Sequence, residues 1–304
     1  MLESTKTVKM KKASKLGAEQ RRTGYLFILP NCIIFVLFFI IPAVLGFYYS
    51  LTEYNGFGSP EFIGFANYAK LFGDTSFYKI LWHTFLYVIL TVPTVFVAAL
   101  AIAMGLTRVW IRGRDFMRIS VFWPTMISTV IVGLIWRWIF GENSGIVNYL
   151  LTVLKGSGLP WLTDSTLAMV TLVIATVWSK AGYFMIIFVG AIEAIPTSYY
   201  EAAYLDGAKP WQVFRRITFP LLKPTNFMVI LLCMINSFKE YPMILSLTGG
   251  GPADATTNIV QYIYKTGFDR SDIGYASAAS MVMFVILVII AILQFKLQKG
   301  GSNE

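Results

Sequence analysis

The sequence predicts an all-α, polytopic membrane protein with six transmembrane helices and both termini on the cytoplasmic side. Three observations carry that prediction. Of the 304 residues, 56% are hydrophobic and only 13% charged, whereas a soluble domain carries about a quarter charged residues. Six apolar runs, 25–50, 80–106, 116–140, 166–192, 224–246 and 274–296, each reach the roughly 20 residues a helix needs to cross the hydrocarbon layer. Lys and Arg are shared unevenly among the connecting segments. Segments 1–24, 107–115 with Arg118, 193–223 and the C-terminal end hold seventeen of them, while 51–79, 141–165 and 247–273 hold five. Basic residues concentrate on the cytoplasmic side, so the first set lies inside and the second outside.

Each element then follows in order. Residues 1–24 form a basic cytoplasmic tail drawn to anionic headgroups. The apolar stretch Tyr25–Tyr49 exceeds the roughly 7–15-residue core of a signal peptide and reads as a retained first span. Residues 25–78 are thus the first transmembrane helix and an outer loop, 79–296 one membrane core, and 297–304 a cytoplasmic C-terminal tail. Pro30, Pro42, Pro93, Pro124 and Pro242 fall inside the runs. Spanning helices tolerate proline where neighbours satisfy the freed backbone groups, so the kinks suggest a bundle around a cavity. Arg137 between Trp136 and Trp138 is an interfacial aromatic belt with a snorkelling cation. Cys32 and Cys233 lie in apolar runs as packing residues. The net charge of +9 is accounted for by topology, which argues against nucleic acid as a partner.

Several chemistries are missing from the chain. No G-x-x-x-x-G-K-[ST] loop exists, and Gly249-Gly250-Gly251-Pro252 sits in an outer loop with no Lys-Ser/Thr behind it. The chain therefore binds no cofactor and hydrolyses no ATP by itself. The single histidine, His83, stands at the outer end of a span as an interfacial residue, without a metal role. Paired His, Ser/Lys or twin-carboxylate motifs are lacking inside the spans, which argues against an intramembrane enzyme. An ion-coupled secondary transporter would predict midplane ionisable groups and often inverted repeats; no internal repeat is visible.

The polar segment 193–223 interrupts two apolar runs. Ser198 stands three residues before Glu201, a capping-box spacing. Gly207 is suited to end that helix in a positive-φ conformation. Pro210 suits the first turn of a second helix over 211–219, which Pro220 breaks. The result is a stiff helix–turn–helix knob on the membrane surface. Glu201-Ala202-Ala203, then Asp206-Gly207-Ala208, then Ile217 and Pro220, resembles the EAA loop of bacterial ABC-importer permeases. That resemblance implies a type I ABC-importer permease fold in the bacterial cytoplasmic membrane. It also implies that the loop seats in a groove of a separate ATPase carrying ATP and Mg. Glu201 would form a docking ion pair, Ala202 and Ala203 would permit close approach, and Gly207 would supply the turn. The implied assembly holds a second homologous permease, two ATPase subunits and an extracytoplasmic solute-binding protein.

Thr248-Gly249-Gly250-Gly251-Pro252, Ala255-Thr256-Thr257, Gly274-Tyr275-Ala276-Ser277-Ala278 and Trp178-Ser179-Lys180-Ala181-Gly182 extend the likeness. Together they resemble the carbohydrate-uptake branch, of the maltose and multi-sugar type. The implied cargo is a sugar or oligosaccharide, with glycerol phosphate or another polar solute as the alternative. Polar groups in spans usually face a cavity or another helix. Lys180, Asn236, Ser237, Lys239 and Glu240 are the conspicuous ones, with Trp178, Tyr183 and Tyr241 as aromatic faces for a sugar. Asn236 and Glu240, four apart, are expected on one helix face. Contact with neighbouring helices or the partner permease is the competing role for this set.

Overall fold

The computed structural model describes residues 23–107 and 113–300. The predicted tail 1–24 lies almost wholly outside the described residues, as do Arg108, Arg112 and residues 301–304. Helix α1 (Thr23–Ser50) leads into an antiparallel hairpin of β1 (Thr52–Glu53) and β2 (Glu61–Phe62), with Thr52 opposite Phe62. There follow α2 (Ala66–Gly73), α3 (Thr75–Leu106), α4 (Arg114–Phe122, extended by a 3-10 turn to Met126) and α5 (Thr129–Ile139). Next come α6 (Ile146–Lys155), α7 (Ser165–Glu193), α8 (Thr197–Leu205) and α9 (Pro210–Leu221). The chain closes with α10 (Lys223–Phe238), α11 (Pro242–Leu247), α12 (Ile259–Tyr264, extended by a π turn to Asp269) and α13 (Ile273–Gly300).

Four helices, α1, α3, α7 and α13, are long and apolar enough to cross a membrane. The other two predicted spans are broken. Run 116–140 is two pieces, α4 with its 3-10 extension and α5, meeting at 98°. Pro124 has no N–H for the carbonyl one turn back, the helix tightens, and Ile127 and Ser128 turn extended with ψ of 139° and 131°. Run 224–246 stops at Phe238, and Pro242 opens α11. Proline supplies no N–H to Phe238 and disfavours a helical Tyr241, which sits at φ −131°. By contrast, α3 carries Pro93 without a break. In α1 the turn before Pro42 widens to a π turn, with the Ile41 N–H reaching the Val36 carbonyl.

The centre of the bundle is the pair α3 and α7, which run parallel. Tyr87 and Thr176, each in the first half of its helix, share a 3.0 Å hydroxyl hydrogen bond. Further along, Phe96 meets Phe188 edge to face at 5.4 Å. Helix α10 leans on the pair through Val229, Cys233 and Phe238. Lipid tails are as apolar as leucine, so close packing of small residues holds such helices together. A Cβ on Gly182 of α7 would overlap the Val121 carbonyl of α4, and one on Gly133 of α5 would overlap the Ser246 hydroxyl of α11.

Aspartates start both central helices. Asp74 accepts from the Ser76 N–H at 2.8 Å, and Asp164 from the N–H groups of Thr166 and Leu167, satisfying amides that a helix start leaves open. Asp74 also accepts from the hydroxyls of Tyr262 and Tyr275 at 3.0 and 3.2 Å. His83 Nδ1 lies 2.9 Å from the Asp254 carbonyl oxygen. The Asp74 and His83 bonds tie the start of α3 to residues 254–275, at the end of the bundle where Asp164 also starts α7. Leu106 and Glu193 end their helices at the other, where α8 and α9 stand.

Candidate functional site

The segment between α7 and α10 does form a two-helix knob, with three departures from its predicted construction. Pro196, not Ser198, is the N-cap of α8, and no side chain caps it. Pro196 holds ψ at 131°, so the helix opens directly after it and Ser198 falls inside the first turn; the capping box with Glu201 does not form. Pro220 does not break α9 either. The helix opens into a π turn over Phe214–Thr218, which accommodates the missing N–H, and the 70° bend falls between Leu221 and Lys223. Ala203 is buried while Ala202 is exposed, so only one of the two alanines expected to permit close approach stands at the knob surface.

The turn follows the expectation closely. Gly207 adopts φ +72°, the Ala208 N–H reaches the Ala203 carbonyl at 2.9 Å and the Gly207 N–H the Tyr204 carbonyl at 3.1 Å. That pair of bonds is the Schellman ending of a helix. Lys209 donates its backbone N–H to the Gln212 side-chain oxygen at 2.8 Å, fixing the start of α9. Tyr200 and Thr218 join hydroxyls across the two helices at 3.3 Å. On this frame Glu201, Ala202, Asp206, Gly207 and Pro220 are exposed and Ile217 is half-buried. The sequence reading missed the apolar tip: Leu205 is 89% exposed and Trp211 67%. Two large apolar side chains bare among polar neighbours were its available signal.

The base of the knob is tied to the bundle by Arg118. Its guanidinium donates to the Glu193 carboxylate at 2.5 Å and to the Leu106 carbonyl at 3.3 Å. Asp115 lies 3.8 Å away on the same helix. The ends of α3, α4 and α7 thus meet at one cation, which the sequence reading used only as a topology marker.

The two helix breaks frame a cavity of about 380 Å³. Of the eight substrate-path candidates, Lys180, Tyr183, Asn236, Lys239 and Glu240 line it. Trp178 packs edge-on against Trp136 at 5.8 Å, Tyr241 lies against Tyr264 at 5.3 Å, and buried Ser237 is also outside the lining. Asn236 and Glu240 reach the cavity together but do not share a helix face, because α10 has ended before Glu240. The buried Glu240 carboxylate accepts from the Met243 N–H at 3.3 Å, and its backbone carbonyl accepts from the Asn258 side chain. Thr125, Ile127, Thr129 and Ser179 complete much of the wall. The first three lie in the run 116–140, predicted as one kinked span and not as two helices. A wall with ammonium, carboxylate, amide and hydroxyl groups beside an aromatic ring suits a solute rich in hydroxyls.

The T-G-G-G-P loop folds back on itself at the opposite end from the knob. Gly249 and Gly250 take φ of +68° and +96°, Thr248 and Thr256 join hydroxyls at 2.7 Å, and Gln261 donates to the Gly249 carbonyl at 2.9 Å. Among the described residues no group of three or more His, Cys, Asp or Glu side chains could hold a metal ion.

Residues 65–300 match the family described as the inner-membrane component of binding-protein-dependent transport systems. The chain belongs to that family. This permease is 34% identical to a probable starch degradation products transport system permease protein of Thermoanaerobacterium thermosulfurigenes, over 92% of its own length and 95% of the relative's. An sn-glycerol-3-phosphate transport system permease protein of Agrobacterium fabrum is 33% identical over 90% and 93% of the two chains. Among solved structures, a chain of a bacterial ABC transporter that imports the acidic polysaccharide alginate superimposes with a TM-score of 0.82 at 25% identity. That match covers 94% of the permease and 98% of the alginate-transporter chain. The same type of transporter has been solved with a periplasmic protein carrying an alginate pentasaccharide (TM-score 0.79). The permease is a multi-pass transport subunit and not an enzyme, which sets aside the ion-coupled and hydrolase alternatives.

Proposed function

We propose that this permease forms half of the translocation path of a type I ABC importer for a sugar or oligosaccharide in the bacterial cytoplasmic membrane. Each bent helix pair counts as one crossing, giving six, and both termini and the α8–α9 knob are cytoplasmic. A second, similar permease completes the path. Two ATPase subunits bind ATP and Mg below, and an extracytoplasmic binding protein delivers cargo at the end carrying the T-G-G-G-P loop. Glu201, Ala202, Asp206 and Gly207 meet the ATPase, and the bare Leu205 and Trp211 fit an apolar groove there. The observation that carries this reading is mechanical: the knob is one body, joined directly to the two helices that wall the cavity. ATP-driven closure of the ATPases would move it without any catalytic group on this chain.

The test is uptake of radiolabelled maltodextrin by the complete complex, with ATPase activity measured alongside. Glu201→Lys and Gly207→Pro are expected to leave the protein in the membrane while ATP hydrolysis no longer drives uptake; unchanged transport by both removes the docking role. A protease or thiol label that reaches the knob from outside intact cells removes the orientation. Lys180 and Lys239 in the cavity wall favour a second reading, an anionic polyol such as glycerol phosphate. Competition of maltodextrin uptake by glycerol 3-phosphate separates the two.

A further inference from the structure

Helix α6 leaves a whole face without a partner. Ile146, Tyr149, Leu150, Val153 and Leu154 recur at the spacing of one helical stripe, and their exposures run from 52% at Leu150 to 78% at Leu154. No charged residue occurs from 143 to 154. A patch of this kind on a protein surface marks an interaction site. The opposite face is held to the chain by one side chain. Buried Asn148 donates to the carbonyls of Glu142 and Leu159 at 3.0 and 2.9 Å. Its oxygen accepts from the Leu159 N–H and the Trp161 indole, both at 2.9 Å. All of its amide capacity is used within segment 142–161, so the direction in which the apolar stripe points is set by the fold.

We propose that α6 lies in the membrane surface, with this stripe sunk into the headgroup–acyl boundary of the bilayer that α5 enters. Continuity with the lipid-facing side of α5 selects lipid as the occupant. Ile131 and Leu134 are exposed along α5, and Trp138 in its last turn is 82% exposed beside Arg137. A tight turn, with the Gly145 N–H on the Gly141 carbonyl at 2.9 Å, then starts α6 only six residues after α5 ends. At the far end Lys155 precedes Gly156, which ends the helix at φ +81°. Its ammonium would reach headgroup phosphates, as interfacial helices place their cations. The inference rests on α5 being membrane-embedded, but not on which side of the membrane the knob faces.

The test uses the full complex in phosphatidylcholine–phosphatidylglycerol vesicles. An environment-sensitive fluorophore is placed at Leu150→Cys or Leu154→Cys, two independent positions in case one variant fails to fold. Exposed Cys32 is replaced by serine and buried Cys233 is kept. The expected result is strong quenching by shallow doxyl-labelled lipid, with iodide quenching several-fold weaker than for a label at Thr152. Protection from both quenchers means a protein partner, the second permease above all, and overturns the proposal. Iodide access that disappears only when binding protein is added means a docking face for that protein and overturns it as well. Lipid quenching from the wrong leaflet keeps the anchor and refutes the orientation instead.

Discussion

Arg118 donates one guanidinium nitrogen to both Glu193 and the carbonyl of Leu106, so the last residue of α7 is bound to the last residue of α3 through a side chain of α4. The knob begins four residues later, and its movement is referred to this junction. Replacing Arg118 by alanine is expected to leave the cavity intact and to loosen the knob from the bundle. ATP hydrolysis would then continue with reduced uptake per ATP. Glu193 is about half exposed, so solvent screening limits the pair to about 1 kcal/mol in a double-mutant cycle with Glu193→Ala. A cycle energy of zero with unaltered coupling would show that the ion pair is incidental.

Two glycines separate conformational strain from steric overlap. Gly207→Ala meets no neighbouring atom within 4 Å but must hold φ +72°, at a cost of about 1 kcal/mol. Gly182→Ala needs no unusual dihedral, yet its methyl would strike the Val121 backbone carbonyl. The expected order in thermal melts of the purified permease is a small loss for Gly207→Ala and a large one for Gly182→Ala. The reverse order would mean that α4 does not approach α7 as described.

Asn236→Ala and Glu240→Ala are expected to lower uptake several-fold with the ATPase still bound in pull-down. Glu240→Ala also removes the acceptor of the Met243 N–H, and an unpartnered buried donor costs about 1–3 kcal/mol. Its melting temperature should therefore fall more than that of Asn236→Ala. Wild-type uptake by both variants would remove the cavity from the substrate path.

Asp74 gives a pH signature at the end remote from the knob. Partial burial pushes its carboxyl upward, but the Ser76 N–H and the Tyr262 and Tyr275 hydroxyls together hold it below the usual value of 3.8. A depressed pKa stabilises the fold above the ordinary carboxylate range, and that stabilisation is lost as pH falls through the lowered value. Melting temperature should be flat near neutrality and decline below about pH 4. Asp74→Ala should remove part of that decline and lose about 1 kcal/mol at neutral pH with the cap. An unchanged acid profile would deny the cluster that role.

Much of this was legible because lipid imposes simple rules. Length of apolar runs found the four long apolar helices and the two bent helix pairs, and positive φ at Gly207 followed from its place after a short helix. The breaks were not legible as breaks. Proline at position 93 continues a helix while Pro124 and Pro242 stand at breaks, and residue type alone does not separate the two outcomes. Five of the eight substrate-path residues share a cavity because polarity inside a span is costly wherever it occurs. Trp178 and Tyr241 were drawn in by ring chemistry alone, and ring direction depends on packing against Trp136 and Tyr264. Asn148 and Arg118 escaped notice since their partners, backbone groups, the Trp161 indole and the Glu193 carboxylate, stand at no recognisable spacing.

The interruption after Phe238 has a consequence for how force is spent. Helix α10 ends there, and α11 restarts at Pro242 as a separate element. The strand of chain beyond it is anchored by Asn258 and by the packing of α11 on α5. Asn236 and Pro242 therefore line the cavity from opposite sides of that break. If a partner ATPase drives the knob as proposed, movement of α10 against the anchored α11 would change the width of the chamber between them.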